Sequence, residues 1–349
     1  MTAATAWGGA VGQAQVGRLQ RDFYVNENLG FTADGEGPHL LVGIEKTGLS
    51  STEAIKAVAR FWDIAVASIG YAGRKDRHAH THQFITVPWP VNQSLPAIGA
   101  VPTDQPQEQT LRITQVARHR RKLRVGALKG NTFRLHLREV QGSPAAFETR
   151  LGQIARAGVP NYFGAQRFGR GGENLPQVAA WFAGKRRPRG RNERSMLLSA
   201  ARSACFNQVL SARVQVGDWN TINADDRVML DGRGSHFSAA EENLRRLSAR
   251  AAGLRLHPTG PLPGCERSGL ALSEGLIARE QALLVDQAHL VAGIIEKGVA
   301  ADRRALRLAV GELGWVWPTA NELILTFSLP RGAYATTVLR ELIDPVFSA

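Results

Sequence analysis

"NTFRLHLREV", residues 131–140, alternates apolar and polar side chains from 133 to 138: Phe133, Leu135 and Leu137 fall on one face, Arg134, His136 and Arg138 on the other. A period of two is that of a β-strand with one buried face, which belongs to a mixed or antiparallel sheet rather than to an all-parallel one covered on both sides. Working outward, "HLLVGIEK" (39–46), "QFITV" (83–87) and "TLRITQVA" (110–117) read as further strands. Ser50 and Glu53 form a capping box that starts a helix in "STEAIKAVARFWDI" (51–64). The five prolines of "PWPVNQSLPAIGAVPTDQPQ" (88–107) predict a loop with no interior strand. Pro144 and Gly158 bracket a helix in "PAAFETRLGQIARAG".

From about residue 158 to 301 the pattern turns helical. "MLLSAARSACFNQVL" (196–210) has the spacing of a buried helix, and Ser238 with Glu241 boxes a second start in "SAAEENLRRLSARAAG". "GKRRPRGRNER" (184–194) and the Pro/Gly-rich "HPTGPLPGCERSG" (257–269) read as connectors. "DRRALRLAVGEL" (302–313) continues as helix, and "ELILTFSLPRGAYATTVLRELI" (322–343) returns to strand, Pro-Arg-Gly turn and short helix. The expected fold class is α/β of the α+β kind, a mixed, largely antiparallel sheet with flanking helices. A first segment, 1–157, and a C-terminal segment, 302–349, would build it around a mainly helical insertion, 158–301.

The chain of 349 residues carries 43 Lys and Arg against 30 Asp and Glu, a formal charge of +13. That balance favours a polyanion as partner, nucleic acid ahead of an anionic membrane because the basic residues do not line one amphipathic helix. No apolar run reaches the roughly 18 residues of a membrane span, and the N-terminus lacks a signal-peptide core. Cys205 and Cys265 are too few for a disulfide framework or a CxxC zinc site, which fits a reducing cytoplasm.

"AGRKDRHAHTHQF" (72–84) sets His78, His80 and His82 at alternate positions behind an Asp flanked by Arg74, Lys75 and Arg77. Extended, the three imidazoles would share a face that could bind zinc or iron, but no fourth ligand accompanies them. A solvated or RNA-facing strand is the better reading, and no metal site is expected.

The spacing of the remaining residues is more informative. Gly73, Lys75, Asp76, Ala79, Thr81 and Gln83 match a G-x-K-D-x-x-A-x-T-x-Q signature, and with it the chain resembles the TruD family, the tRNA pseudouridine synthases that modify uridine 13. "DFYVNE" (22–27), "HRRKLRVGALKGNTF" (119–133), "VPNYFGAQRFG" (159–169) and "FSLPRGAYAT" (327–336) resemble the family's other blocks, in the family's order. "RLQRDF" departs from the Pro-Glu-Asp-Phe of its first block, and the histidines occupy variable positions.

The resemblance implies a pseudouridine-synthase sheet and an isomerase that needs no cofactor. It breaks an N-glycosidic bond, turns the base and rejoins it through carbon. Asp76 would be the catalytic carboxylate, and addition to C6 of uracil, attack at C1′ and a glycal route all stay open to it. Phe23, Lys75, Asn131, Phe133 and Phe327 are implied as substrate-binding residues. Arg120, Arg121, Lys122 and Arg124 are candidates for RNA phosphates. Glycines 164, 169, 171 and 172 are read as requirements of backbone shape, since no Lys-Ser/Thr follows them. The expected partner is tRNA as substrate, with no membrane, no obligate protein partner and a monomeric, cytoplasmic enzyme. The competing readings are a non-catalytic RNA-binding protein, which would tolerate loss of the Asp76 carboxylate, and a metal-dependent nuclease, which a chelator would inhibit.

Overall fold

The computed structural model describes residues 3–266 and 271–347, which form two compact units. One comprises Gly12–Pro144, Gly311–Gly332 and Asp344–Ala349; the other Met1–Val11, Ala145–Val310 and Ala333–Ile343. Among the described residues no helix is long and apolar enough to cross a membrane.

The first unit is built on an eleven-stranded sheet. Its main path runs Gly311–Thr319, Glu322–Pro330, Gly130–Gln141, Phe23–Asn28, His80–Pro88, His39–Thr47, Thr110–His119, Gly99–Ala100. Every pair on that path is antiparallel except Phe23–Asn28 with His80–Pro88, so the sheet is mixed and largely antiparallel, as the alternation at 131–140 predicts. Phe133, Leu135 and Leu137 are buried and Arg134 is exposed. The helix Ser51–Phe61 begins at the capping box expected of Ser50 and Glu53. Its Ala54, Ile55, Ala57 and Val58 pack on Leu40, Val42, Ile44, Ile85, Val87 and Ile113, and each fully buried Leu, Ile or Val there is worth about 1.5–3 kcal/mol. The proline-rich stretch does contain a strand: Gly99–Ala100 pairs with Ile113 and Arg112, a two-residue edge that prolines on either side tolerate.

The second unit is mainly helical, as expected, and also carries a small sheet. Helices Asn174–Phe182, Arg191–Gln215 and Ala288–Glu296 enclose a core of Val178, Leu197, Cys205, Leu290 and Ile294. Beside them lies a four-stranded antiparallel sheet in the order His236–Ser238, Arg227–Leu230, Leu256–Leu262, Asp302–Ala305. The strand Leu256–Leu262 takes up residues 257–262 of what reads as a Pro/Gly loop. Its prolines lack only the donor, and the Pro258 carbonyl still accepts from Leu306 N at 2.8 Å. The end of that expected loop, residues 267–269, lies outside the described residues. "DRRALRLAVGEL" is likewise strand rather than helix, because Leu306, Leu308 and Val310 alternate at period two and all three are buried.

The division also falls elsewhere than at 157/158 and 301/302. The helix Pro144–Ala157 groups with the second unit because Arg150 donates to the carbonyls of Trp7, Gly9 and Glu341. Residues 302–305 pair there with 259–262 and residues 307–308 with 159–160, and the chain rejoins the large sheet at Gly311. Gly158 sits at φ +76° with the Leu308 carbonyl where a Cβ would stand, so no larger residue fits that turn.

Candidate active site

All the site residues inferred from sequence lie in the large-sheet unit. Asp76 sits on the loop that links Gly70–Tyr71 to His80–Pro88, an interior strand of the sheet. Its carboxylate is exposed, and Oδ1 accepts from His78 N at 3.0 Å, a turn closed by the side chain itself.

The loop beneath it is fixed from three sides. Lys46, fully buried, donates from Nζ to the Asp76 carbonyl (2.8 Å) and to the Leu49 carbonyl (2.5 Å). Burial pushes that ammonium down to about 8, opposed by the Asp76 charge. Ser51, in the first turn of the helix, accepts from Lys75 N at 2.7 Å and donates to Gln83 Oε1 at 2.8 Å. Gln83 Nε2 returns to the Gly73 carbonyl at 3.0 Å. Glu53 pairs with Arg77. The Gln83 side chain is buried, and through its bonds with Ser51 and Gly73 this position of the signature holds the loop.

Lys75 turns inward. Its Nζ lies 3.0 Å from Glu27 Oε1 and 2.6 Å from Asn131 Oδ1, while Glu27 Oε2 accepts from Phe84 N at 2.9 Å. Lys75 and Asn131 are thereby brought together at Glu27, which stands opposite Asn131 in the register. Two residues further along the Asn131 strand and on the same face, Phe133 stands opposite Phe327; the rings stack at 5.3 Å and 24°, and Phe23 meets Phe133 edge-on at 6.4 Å. Phe133 and Phe327 are buried, Phe23 half-buried.

Arg120, Arg121, Lys122 and Arg124 are exposed on the loop that follows Thr110–His119. Arg120 is paired with Glu36, and Lys122 Nζ donates to the Ala67 carbonyl at 2.8 Å. Leu123 packs with Ala72 and Leu41, and Gly126 N donates to the Ala72 carbonyl at 2.7 Å, which ties this basic loop to the start of the Asp76 loop.

The histidines are not gathered. His78 precedes the strand; His80 Nε2 lies 3.0 Å from Glu45, and the half-buried His82 contacts Thr114 Oγ1 at 3.1 Å. Among the described residues no three His, Cys, Asp or Glu side chains are placed to hold a metal ion. Lys46, Ser51 and Glu27 were not singled out by the sequence reading, although Lys46 has the parity of Leu40, Val42 and Ile44 and so interrupts an apolar face with a charge.

The chain matches the family described as tRNA pseudouridine synthase D (TruD) over residues 12–181 and 190–342. It is 41% identical over 346 residues to the tRNA pseudouridine synthase D of Pseudomonas fluorescens (strain Pf0-1), covering 98% of this chain and 94% of that one. It is 44% identical over 325 residues to the protein of that name from Nitrosococcus oceani, covering 92% and 88%. The fold is similar, at a TM-score of 0.70 and 20% identity over 99% of this chain and 95% of the other, to a crystal structure assigned as tRNA pseudouridine synthase D (TruD) from Methanosarcina mazei. Signature, fold and relatives agree: the chain belongs to the tRNA pseudouridine synthase D (TruD) family.

Proposed function

We propose that this protein is an isomerase that converts uridine 13 of tRNA to pseudouridine, with Asp76 as the catalytic carboxylate. The observation that carries the reading is the presentation of Asp76: an exposed acid on a loop pinned by Lys46, Ser51 and Gln83. A carboxylate held in place while its neighbours are immobile keeps the reacting geometry without reorganisation.

In the reaction the C1′–N1 bond breaks, a C1′–C5 bond forms, the C5 proton leaves and N1 gains a proton, so substrate and product have the same atoms. Asp76 acts on the sugar or the base as nucleophile or base. Lys75, neutralised by Glu27, orients Asn131, whose amide can read the edge of an extruded uracil. The stacked Phe133 and Phe327 with Phe23 form an aromatic wall on the same face. Arg121 and Arg124, exposed beside the loop, suit the phosphates that flank the target. We assign the protein to the cytoplasm as a monomer.

The test is tritium release from tRNA transcribed with 5-tritiated uridine, in chelator, comparing the protein with Asp76→Asn. The parent is expected to release tritium and the variant to be at least about a thousandfold slower while binding tRNA with unchanged affinity. Equal release by both, or none by a parent that binds tRNA, would sink the assignment.

A further inference from the structure

The second unit holds an open depression of about 800 Å³ lined by four arginines, Arg233, Arg246, Arg250 and Arg255, with one acid, Asp231. Arg246 and Arg250 are one turn apart on the helix Leu244–Ala252, flanking its buried Leu247 and Ala251. Arg233 comes from the turn after Arg227–Leu230, and Arg255 from the connection into Leu256–Leu262. Among the described residues none of the four guanidinium groups has a hydrogen bond or an ion pair, whereas buried arginines of the same unit, such as Arg213, Arg303 and Arg307, each make several hydrogen bonds.

The walls are built rather than incidental. Arg307, buried, donates to the Ala251 and Leu256 carbonyls at 2.6 and 2.7 Å and to His257 Nδ1 at 3.0 Å. His257, buried and kept neutral by loss of hydration, therefore carries its proton on Nε2 and donates it to Asp231 Oδ1 at 2.9 Å. Asp231 N in turn donates to the Arg255 carbonyl, and Arg255 N to the Arg250 carbonyl. Leu254, which lines the depression, is held at φ 57°, a conformation rare for leucine. The one carboxylate is thus occupied by an imidazole, and four positive charges converge on a fixed concavity.

We propose that this depression is a second RNA contact, which takes consecutive backbone phosphates of the tRNA. Its charge suits a polyanion, and its volume of about 800 Å³ admits more than one phosphate. The inference rests on the tRNA reading above. Phosphate contacts position without reading sequence, so the effect belongs in affinity and not in the chemical step.

The test compares Arg246→Gln/Arg250→Gln with the parent and with Lys56→Gln/Arg156→Gln, which removes the same charge elsewhere. tRNA affinity is measured from 50 to 300 mM salt, and kcat and KM by tritium release. For the pocket variant we expect Kd and KM to rise about tenfold, the slope of log K against log salt to flatten by about 1 to 2, and kcat at saturating tRNA to stay within twofold. The control should be within twofold of the parent throughout. Equal behaviour of the two variants overturns the proposal, since it would reduce the effect to net charge. So does binding of inorganic phosphate alone at the pocket with tRNA affinity unaffected by its arginines. A parent that neither binds nor modifies tRNA would refute the underlying reading instead, and that is visible before any variant is made.

Discussion

Lys46 combines a cost with a constraint. Burial lowers it from 10.5 to about 8 in the folded chain, whereas in the unfolded chain it is an ordinary lysine. Between those values the unfolded state binds more protons, so the contribution of Lys46 to stability grows as pH rises above about 8 and is lost as pH falls through it. In Lys46→Met that dependence vanishes. The stability of the parent relative to the variant, from urea midpoints, is expected to increase by about 2 kcal/mol between pH 8 and 10; a flat difference would mean that the buried amine keeps its proton. At pH 7 the variant also loses the tie to the Asp76 carbonyl. A loosened carboxylate should cost about tenfold to a hundredfold in kcat with KM within twofold, whereas a merely destabilised protein would lose active molecules without changing the kcat of those that remain folded. Lys46→Arg, which keeps a donor, should recover part of the rate.

The helix Ser51–Phe61 supports the Asp76 loop from its first turn, so its cap has consequences beyond the helix. Ser50 accepts from Glu53 N, and Glu53 Oε2 accepts from Ser50 N at 2.8 Å. Ser50→Ala removes one half of that box and is expected to cost about 1 kcal/mol in urea unfolding; no change would mean that Glu53 alone secures the turn. The same Ser-x-x-Glu pattern at 238–241 misleads. Ser238 ends the strand His236–Ser238 and accepts only from Ala240 N, in a single 3-10 turn, while Asn243 accepts from Arg246 N and starts the helix Leu244–Ala252. A cap is a local signal, and where two compete the strand pairing decides. The strand at 131–140 was legible because one of its faces meets water. Leu256–Leu262 was not, since it is buried on both faces and carries two prolines. In the site, Asp76 was legible from its motif, whereas the Ser51–Gln83 bracing joins residues 32 positions apart and leaves no local mark.

At the scale of the whole molecule, the chain enters each compact unit more than once, and composition does not mark the crossings. The first eleven residues illustrate this: they precede the large sheet in sequence yet belong to the other unit. The Trp7 ring meets Trp219 edge-on at 5.8 Å, its Nε1 donates to the Gly158 carbonyl at 3.3 Å, and Ala4 N donates to Ser211 Oγ at 3.1 Å. With Tyr162, Phe206, Leu210 and Leu306 these residues close a core cluster assembled from five separate stretches of chain. Trp7→Ala would open that cluster and leave the Gly158 carbonyl without the indole donor, a loss of about 2–3 kcal/mol for a half-buried aromatic. The unfolding midpoint in urea should fall accordingly. The Asp76 site lies in the large-sheet unit and makes no use of this cluster, so kcat on tRNA, measured well below the unfolding transition, should stay within twofold of the parent. If Trp7→Ala left the midpoint unchanged, the N-terminal residues would not be part of this core. If it abolished turnover in protein shown to be folded, the two units would be energetically coupled, and the second would bear on catalysis through more than RNA contact.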